Sequence, residues 1–238
     1  MSSRKRVAIL ISGRGSNMEA LIAAAAGDDY PAEIVGVIAN TPKARGLESA
    51  RMRGIPTRMV PQRDYPDRAA HDEAIGAVLE ELGAEMVCLA GYMRLLTPAF
   101  VERWAGRMIN IHPSLLPAFP GLDTHGRALA TGVRVHGATV HFVTETMDEG
   151  PIVAQAAVPV LATDTADALG ARVLKAEHRL YALALAMVAR GEARVEDGRT
   201  VFSATSDWGA EDALYSPAPD APAPAEALDL ERLARFTP

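Results

Sequence analysis

A chain of 238 residues, 49% of them hydrophobic, can bury one substantial core, so an α/β domain with at most an appendage is expected. Its formal net charge of −6 argues against general affinity for nucleic acid or anionic membranes, which needs a concentrated basic face. Cys88 is the single cysteine, so neither an intrachain disulfide nor a Cys-rich metal site is available, and its apolar neighbours make it a core thiol.

Strand-like and helix-like runs alternate over the first two thirds of the chain. Residues 6–12 read as a strand, 17–26 as a helix, 33–40 as a strand and 44–54 as a helix. A short strand at 57–60 precedes a helix at 66–82, and strands at 86–90 and 108–112 enclose a short helix at 98–104. This order predicts a mostly parallel, twisted sheet with helices on both faces. Residues 113–133 have no period and are rich in Pro and Gly, the mark of a functional loop, expected to be mobile when free and ordered by ligand. Runs at 138–143 and 152–160 read as an antiparallel extension joined through Met147-Asp148-Glu149-Gly150-Pro151. A helix over 165–190 carries Leu169, Val173, Ala176, Leu180, Leu183, Ala184 and Met187 on one stripe and closes the core. The Pro-, Ala- and Asp-rich stretch that follows cannot bury enough apolar surface to order itself, which divides the chain into a domain at 1–205 and a flexible tail at 206–238. The basic residues 1–6 lead into an apolar run too short for a secretory signal, and 180–189 falls short of the ~18 apolar residues of a membrane span. A soluble, cytoplasmic protein is expected.

The most informative stretch is Met108-Ile109-Asn110-Ile111-His112-Pro113. Asn110 and His112 stand two apart on a strand and share one face, and Pro113 ends the ladder with His112 at the carboxyl end of the strand. Ligands bind at that end of open parallel sheets. An amide donor beside a titratable imidazole suits chemistry in which a carbonyl oxygen becomes negative and a proton then moves. Asp148, in the Gly- and Pro-rich turn, is a candidate partner that would favour a protonated His112.

Between the first strand and first helix, Ser12-Gly13-Arg14-Gly15-Ser16-Asn17 offers flexible backbone and a helix amino terminus to an anion, most simply phosphate. The spacing fits neither the dinucleotide fingerprint nor the P-loop. Ser16 also stands three residues before Glu19, as in a capping box. His125, His136 and His141 lack the spacing of a zinc motif, with His136 and His141 flanking a strand, and His71 and His178 are expected at helix surfaces. Glu177, beside Lys175 on the long helix, falls at the edge of the apolar stripe, where a solvated charge is the simplest reading.

Taken together, Ile11-Ser12-Gly13-Arg14-Gly15-Ser16-Asn17, Leu89-Ala90-Gly91-Tyr92-Met93-Arg94, Asn110-Ile111-His112-Pro113-Ser114-Leu115-Leu116-Pro117, His136-Gly137-Ala138-Thr139-Val140-His141 and Asp148-Glu149-Gly150-Pro151 resemble the phosphoribosylglycinamide formyltransferases over about residues 7–199. The resemblance implies a Rossmann-like formyltransferase fold and transfer of a formyl group from 10-formyltetrahydrofolate to the amine of glycinamide ribonucleotide, with no metal. It implies that Asn110, His112 and Asp148 are catalytic. Gly15, Ser16 and Asn17, with Leu174, Lys175, Ala176 and Glu177, would hold the ribonucleotide. Arg68, Met93, Arg94, Leu95, Leu96 and the loop Thr144, Glu145, Thr146, Met147 and Asp148, together with Asn110, would hold the folate. At Asp123 the family often has a histidine, which leaves that position without an assigned role. A monomer and a homodimer both remain open. Two folate-dependent relatives share the catalytic motif. The deformylase usually carries a preceding regulatory domain, for which a first strand near residue 6 leaves no room. The methionyl-tRNA enzyme carries a sizeable basic carboxyl-terminal domain that the acidic tail does not resemble. A non-catalytic ligand sensor would be expected to lack Asn110, His112 or Asp148, and all three are present.

Overall fold

The computed structural model describes residues 4–203, so the expected tail at 206–238 lies outside the described residues. Five strands, β1 (Lys5–Ile11), β2 (Ala32–Ala39), β3 (Thr57–Met59), β4 (Met86–Leu89) and β5 (Met108–His112), run parallel. Two more, β6 (Val135–Phe142) and β7 (Ile152–Pro159), add antiparallel to give one seven-stranded sheet in the order β3-β2-β1-β4-β5-β6-β7. The mostly parallel sheet with an antiparallel extension is therefore as the alternating pattern predicts.

Central β1 shows why both faces carry helices. Val7, Ile9 and Ile11 enter one apolar cluster with α1 (Ser16–Ala25) and α2 (Gly46–Met52), while Ala8 and Leu10 enter another with α3 (Arg68–Glu81) and α4 (Pro98–Arg103). A strand buried on both faces reads as a continuous apolar run, not an alternation. No helix among the described residues is long and apolar enough to cross a membrane.

Several elements depart from expectation. Within 113–133 the chain forms α5 (Thr124–Thr131), whose buried residues are only Thr124 and Ala128, too few to create a readable period. The long helix α6 (Ala166–Ala189) buries Leu169, Val173, Glu177, Leu180, Tyr181 and Ala184, whereas Leu183 is exposed. The core stripe is thus rotated toward Glu177, which is buried, not solvated. After α6, β8 (Ala193–Glu196) and β9 (Arg199–Phe202) pair as a hairpin that the sequence pattern had not suggested. Its Asp197-Gly198 turn, with both φ angles positive, is the strongest local hairpin signal in the chain. His71 is fully buried, not at the surface, because its Nε2 bonds the Val60 carbonyl at 2.8 Å; His178 is half-buried. His136 and His141 lie within β6 instead of flanking it.

Tyr181 ties the helix layer to the two strands that lead to the site. Its buried hydroxyl lies 3.0 Å from the Leu89 carbonyl of β4 and 3.1 Å from the Ile109 carbonyl of β5. Removing a buried donor of this kind costs about 1–2 kcal/mol. Tyr181→Phe should therefore lower Tm by about 2–8 °C in a chain of this size, read by thermal denaturation.

Candidate active site

Strand β5 ends at His112 because Pro113 has no N–H for a ladder bond. Asn110 faces His141 across the antiparallel pair, and His112 faces Thr139. A strand this deep in the sheet cannot leave its polar side chains without partners, and each one is met.

His141 fixes the amide. Its Nδ1 donates to the Phe142 carbonyl at 2.9 Å, so in the neutral ring Nε2 accepts from Asn110 Nδ2 at 3.1 Å. Burial is the main cause that lowers the pKa of His141; the Phe142 carbonyl and Asp148 act against it, and His112 adds to it. The neutral ring is the form that makes both contacts. With one amide N–H committed to His141, the second N–H of Asn110 has no partner among the described residues.

The His112 ring meets an acceptor at each nitrogen. Nε2 lies 3.0 Å from the Phe119 carbonyl, and Nδ1 is 3.5 Å from Asp148 Oδ2. Only the doubly protonated imidazolium can donate on both sides. Asp148 itself sits at φ 59, a left-handed conformation that Asp tolerates better than most residues. Oδ2 also accepts from the Gly121 N–H at 2.8 Å, which ties the 113–123 segment to the β6–β7 turn. Oδ1 lies 3.9 Å from His141 Nε2. Gly150 lets that turn lie against β6, since a Cβ there would stand 1.7 Å from the Phe142 carbonyl oxygen. The turn and strand would have to separate, carrying Asp148 away from His112.

Beyond β1, Gly15 (φ 79) turns the chain into α1. A Cβ at this position would stand 3.1 Å from the Met18 side chain and 3.2 Å from the Gly46 Cα, so a glycine suits both the angle and the space. The capping box expected from the sequence does not form: Ser16 is already the first helical residue, no side chain caps the helix, and Glu19 Oε1 instead accepts from Ser49 Oγ at 2.7 Å. Asn17 Nδ2 donates to Glu177 Oε2 at 2.7 Å, joining α1 to α6. Burial raises the pKa of Glu177, opposed by the Asn17 bond and by the nearby charges of His178 and His112. The last influence puts Glu177 and His112 in one electrostatic field.

Of the remaining candidates, Met93 and Leu95 are exposed, Arg94 is half-buried, and Leu96 packs against the α3–α4 cluster. Thr144, Glu145, Thr146 and Met147 form an exposed turn in which Thr144 Oγ1 donates to the Thr146 carbonyl at 3.1 Å. Leu174 and Ala176 are half-buried, Ala176 against the α1–α2 cluster. Arg68 and Lys175 are exposed, and no hydrogen bond or ion pair among the described residues ties either to Asn110, His112 or Asp148. Asp123 is exposed at the amino end of α5, beside a pair in which His125 Nδ1 lies 3.2 Å from His136 Nε2. Burial, and secondly His125, push His136 down to about 4. Among the described residues no group of three or more His, Cys, Asp or Glu is placed to hold a metal ion. Cys88 is buried and its thiol is pushed up to about 12 by burial, which suits a core thiol. Sequence reasoning assigned no role to the Ser12 and His141 side chains or to the Phe119 carbonyl, whose contacts with the site depend on tertiary register.

An amide and an imidazole–carboxylate pair, at the ligand-binding end of a doubly wound sheet, equip a protein for transfer chemistry at a carbonyl carbon. The formyl transferase family model matches residues 5–185, and the chain belongs to that family. It is 42% identical over 193 residues to phosphoribosylglycinamide formyltransferase of Haemophilus influenzae, covering 81% of this chain and 91% of that one. It is also 48% identical over 204 residues to the trifunctional purine biosynthetic protein adenosine-3 of Bos taurus, 86% of this chain and 20% of that protein. The chain thus spans about a fifth of the length of that relative. The crystal structure of phosphoribosylglycinamide formyltransferase from Brucella melitensis superposes with a TM-score of 0.76 at 57% identity, covering 79% of this chain and 96% of that one.

The Glu177 environment has a measurable signature. Because its pKa is raised in the folded state, the stability linked to its proton is full below the ordinary carboxylate value of about 4.3 and is lost as pH rises through the raised value. Glu177→Gln, which removes that titration, should melt close to the parent near pH 4 and progressively above it as pH rises. A parallel pair of Tm-against-pH curves would show that Glu177 keeps an ordinary pKa.

Proposed function

We propose that this protein transfers the formyl group of 10-formyltetrahydrofolate to the amine of glycinamide ribonucleotide, giving formylglycinamide ribonucleotide and tetrahydrofolate. The observation that carries the reading is the His112–Asp148 contact at 3.5 Å beside the free amide N–H of Asn110. The family match and the names of the relatives support the choice of substrate pair.

In this reading the backbone at Gly15, Ser16 and Asn17 binds the substrate phosphate at the start of α1, where unpaired N–H groups and the helix dipole favour an anion. Glu177, with Leu174, Lys175 and Ala176 around it, borders the same ribonucleotide. The carboxylate is suited to the amine end, since burial strengthens its attraction for a nearby cation or N–H donor. Met93, Leu95 and Leu96 present apolar surface to a flat pteridine, with Arg94, Arg68 and the turn 144–148 around its polar parts.

The amine attacks the formyl carbon directly. A new C–N bond forms, the carbonyl oxygen becomes negative, and collapse breaks the bond from the formyl carbon to the folate nitrogen. The Asn110 N–H and protonated His112 stabilise the oxyanion. The proton lost by the amine replaces the one that the leaving folate nitrogen takes up, and Asp148 keeps His112 charged while this exchange proceeds or orders a water that relays it. His112 Nε2 is held by the Phe119 carbonyl, so the 113–123 segment must shift before that nitrogen can face substrate. This gives the long Pro- and Gly-rich loop a role coupled to binding.

Two experiments test the reading. Removing one oxyanion donor, Asn110→Ala or His112→Ala, should lower kcat about 10²–10³-fold, equivalent to ~2.7–4 kcal/mol, with smaller changes in KM. Near-normal turnover in both variants and in Asp148→Ala would overturn the catalytic assignment. An assay that offers glycinamide ribonucleotide, water alone and methionyl-tRNA as acceptors should show transfer to the ribonucleotide only. Preference for either other acceptor would replace the proposed substrate.

A further inference from the structure

The segment that follows β4 is held by polar bonds at both of its ends. At the start, the Met93 N–H donates to Ser12 Oγ at 2.8 Å, and Ser12 Oγ in turn donates to Asn40 Oδ1 at 2.7 Å. At the end, the Thr97 N–H donates to Asp72 Oδ2 at 2.7 Å. Thr97 is itself the amino-terminal cap of α4, its Oγ1 accepting from the Phe100 N–H. Asp72 therefore sets where the segment stops and the helix begins.

Asp72 is a costly residue at this place. It lies on α3, is 2% exposed, and its Oδ1 has no hydrogen-bond partner among the described residues. The Arg94 guanidinium approaches that oxygen, with Nε 3.9 Å away. Arg94 Nε and Nη2 are likewise buried without hydrogen-bond partners among the described residues, while Nη1 reaches Gln62 Oε1 at 3.4 Å. His71 Nδ1, 3.8 Å from the same carboxylate oxygen, and the Tyr92 hydroxyl complete a buried polar group with unmet bonding capacity. Asp72 is the leading charged influence on Tyr92, raising its pKa beyond the effect of burial, so these side chains share one field. A carboxylate kept in the core against its desolvation cost, and used to hold one backbone N–H and one loosely paired arginine of the same segment, is placed to shape that segment.

We infer that Asp72 is a positioning residue for the folate side of the site: it acts through the Thr97 N–H and the Arg94 side chain to hold residues 93–96 in the conformation that receives the pteridine. The inference rests on the proposed folate role of 93–96 and assigns Asp72 no contact with either substrate. Since α3 packs on the sheet face opposite α1 and α6, a change at Asp72 reaches the folate segment without passing through Asn17 or Glu177.

The test is a KM split in formyl transfer from 10-formyltetrahydrofolate to glycinamide ribonucleotide. Asp72→Ala loses both tethers and should raise the folate KM more than tenfold, while kcat and the ribonucleotide KM stay within threefold. Asp72→Asn keeps the size of the side chain and an oxygen for the Thr97 N–H but loses the charge facing Arg94. It should raise the folate KM by about three- to tenfold, and it decides the matter if Asp72→Ala does not fold. Thermal stabilisation by folic acid should weaken in step, while stabilisation by the ribonucleotide should not. A folate KM within twofold of the parent in Asp72→Asn, or both KM values rising together, overturns the inference and leaves the proposed function standing. A parent protein that neither binds folate nor transfers formyl removes the proposed function, and this inference falls with it.

Discussion

Two polar side chains in a buried strand, Asn110 and His112, impose the constraint on which the site depends. Each must be paired, because an unsatisfied polar group in the sheet costs more than a typical hydrogen bond returns. The pairing draws in three separate parts of the chain: the His141 ring from β6, the Phe119 carbonyl from the segment after β5, and Asp148 from the β6–β7 turn. Gly121 then joins the second of these to the third through its bond to Asp148. The loop and the turn are thus organised by the obligation to satisfy the strand. The same bonds leave one amide N–H of Asn110 unpaired beside a His112 ring that is held at both nitrogens.

Glu177 shows the converse of that constraint. A carboxylate occupies a place in the α6 stripe that a leucine would fill at lower free energy, and its single short bond to Asn17 offsets only part of the desolvation. It is bonded to Asn17 of α1 and lies within the electrostatic reach of His112. A buried carboxylate with one partner has lone pairs to offer a ligand, and a substrate amine or hydroxyl can meet them.

The sequence made β5 legible to the residue, because an apolar run stops at a proline and carries its polar residues two apart. It also revealed the parallel order, since strands buried on both faces stay apolar throughout. It was less informative where a short helix buries only Thr124 and Ala128, or where Ser16 and Glu19 match a capping box that the backbone at Gly15 does not use. The β8–β9 hairpin carries its local mark in Asp197-Gly198, a turn in which both φ angles are positive. The burial of Glu177 and His71 is not legible locally, because a buried charge or imidazole has no local signature. Their burial follows from Asn17, 160 residues away in sequence, and from Val60, the residue just past β3. Asp72, His141 and Ser12 belong to the same class, since each acts through a partner that only the fold brings near.

The sheet also separates the two halves of the site mechanically. Helices α1 and α6 rest on the cluster that contains Val7, Ile9 and Ile11, and they carry Asn17 and Glu177 on the proposed ribonucleotide side. Helices α3 and α4 rest on the other face with Ala8 and Leu10, and they support Tyr92 and Leu96 on the proposed folate side. Adjacent residues of a single strand therefore pack toward the two different proposed sides of the site, because successive side chains of a strand point to opposite faces. The halves meet where β5 ends, at Asn110, His112 and the turn that brings Asp148. On the proposed assignment, the affinity for either substrate is altered through its own core, whereas a change at the junction is felt by the reaction as a whole.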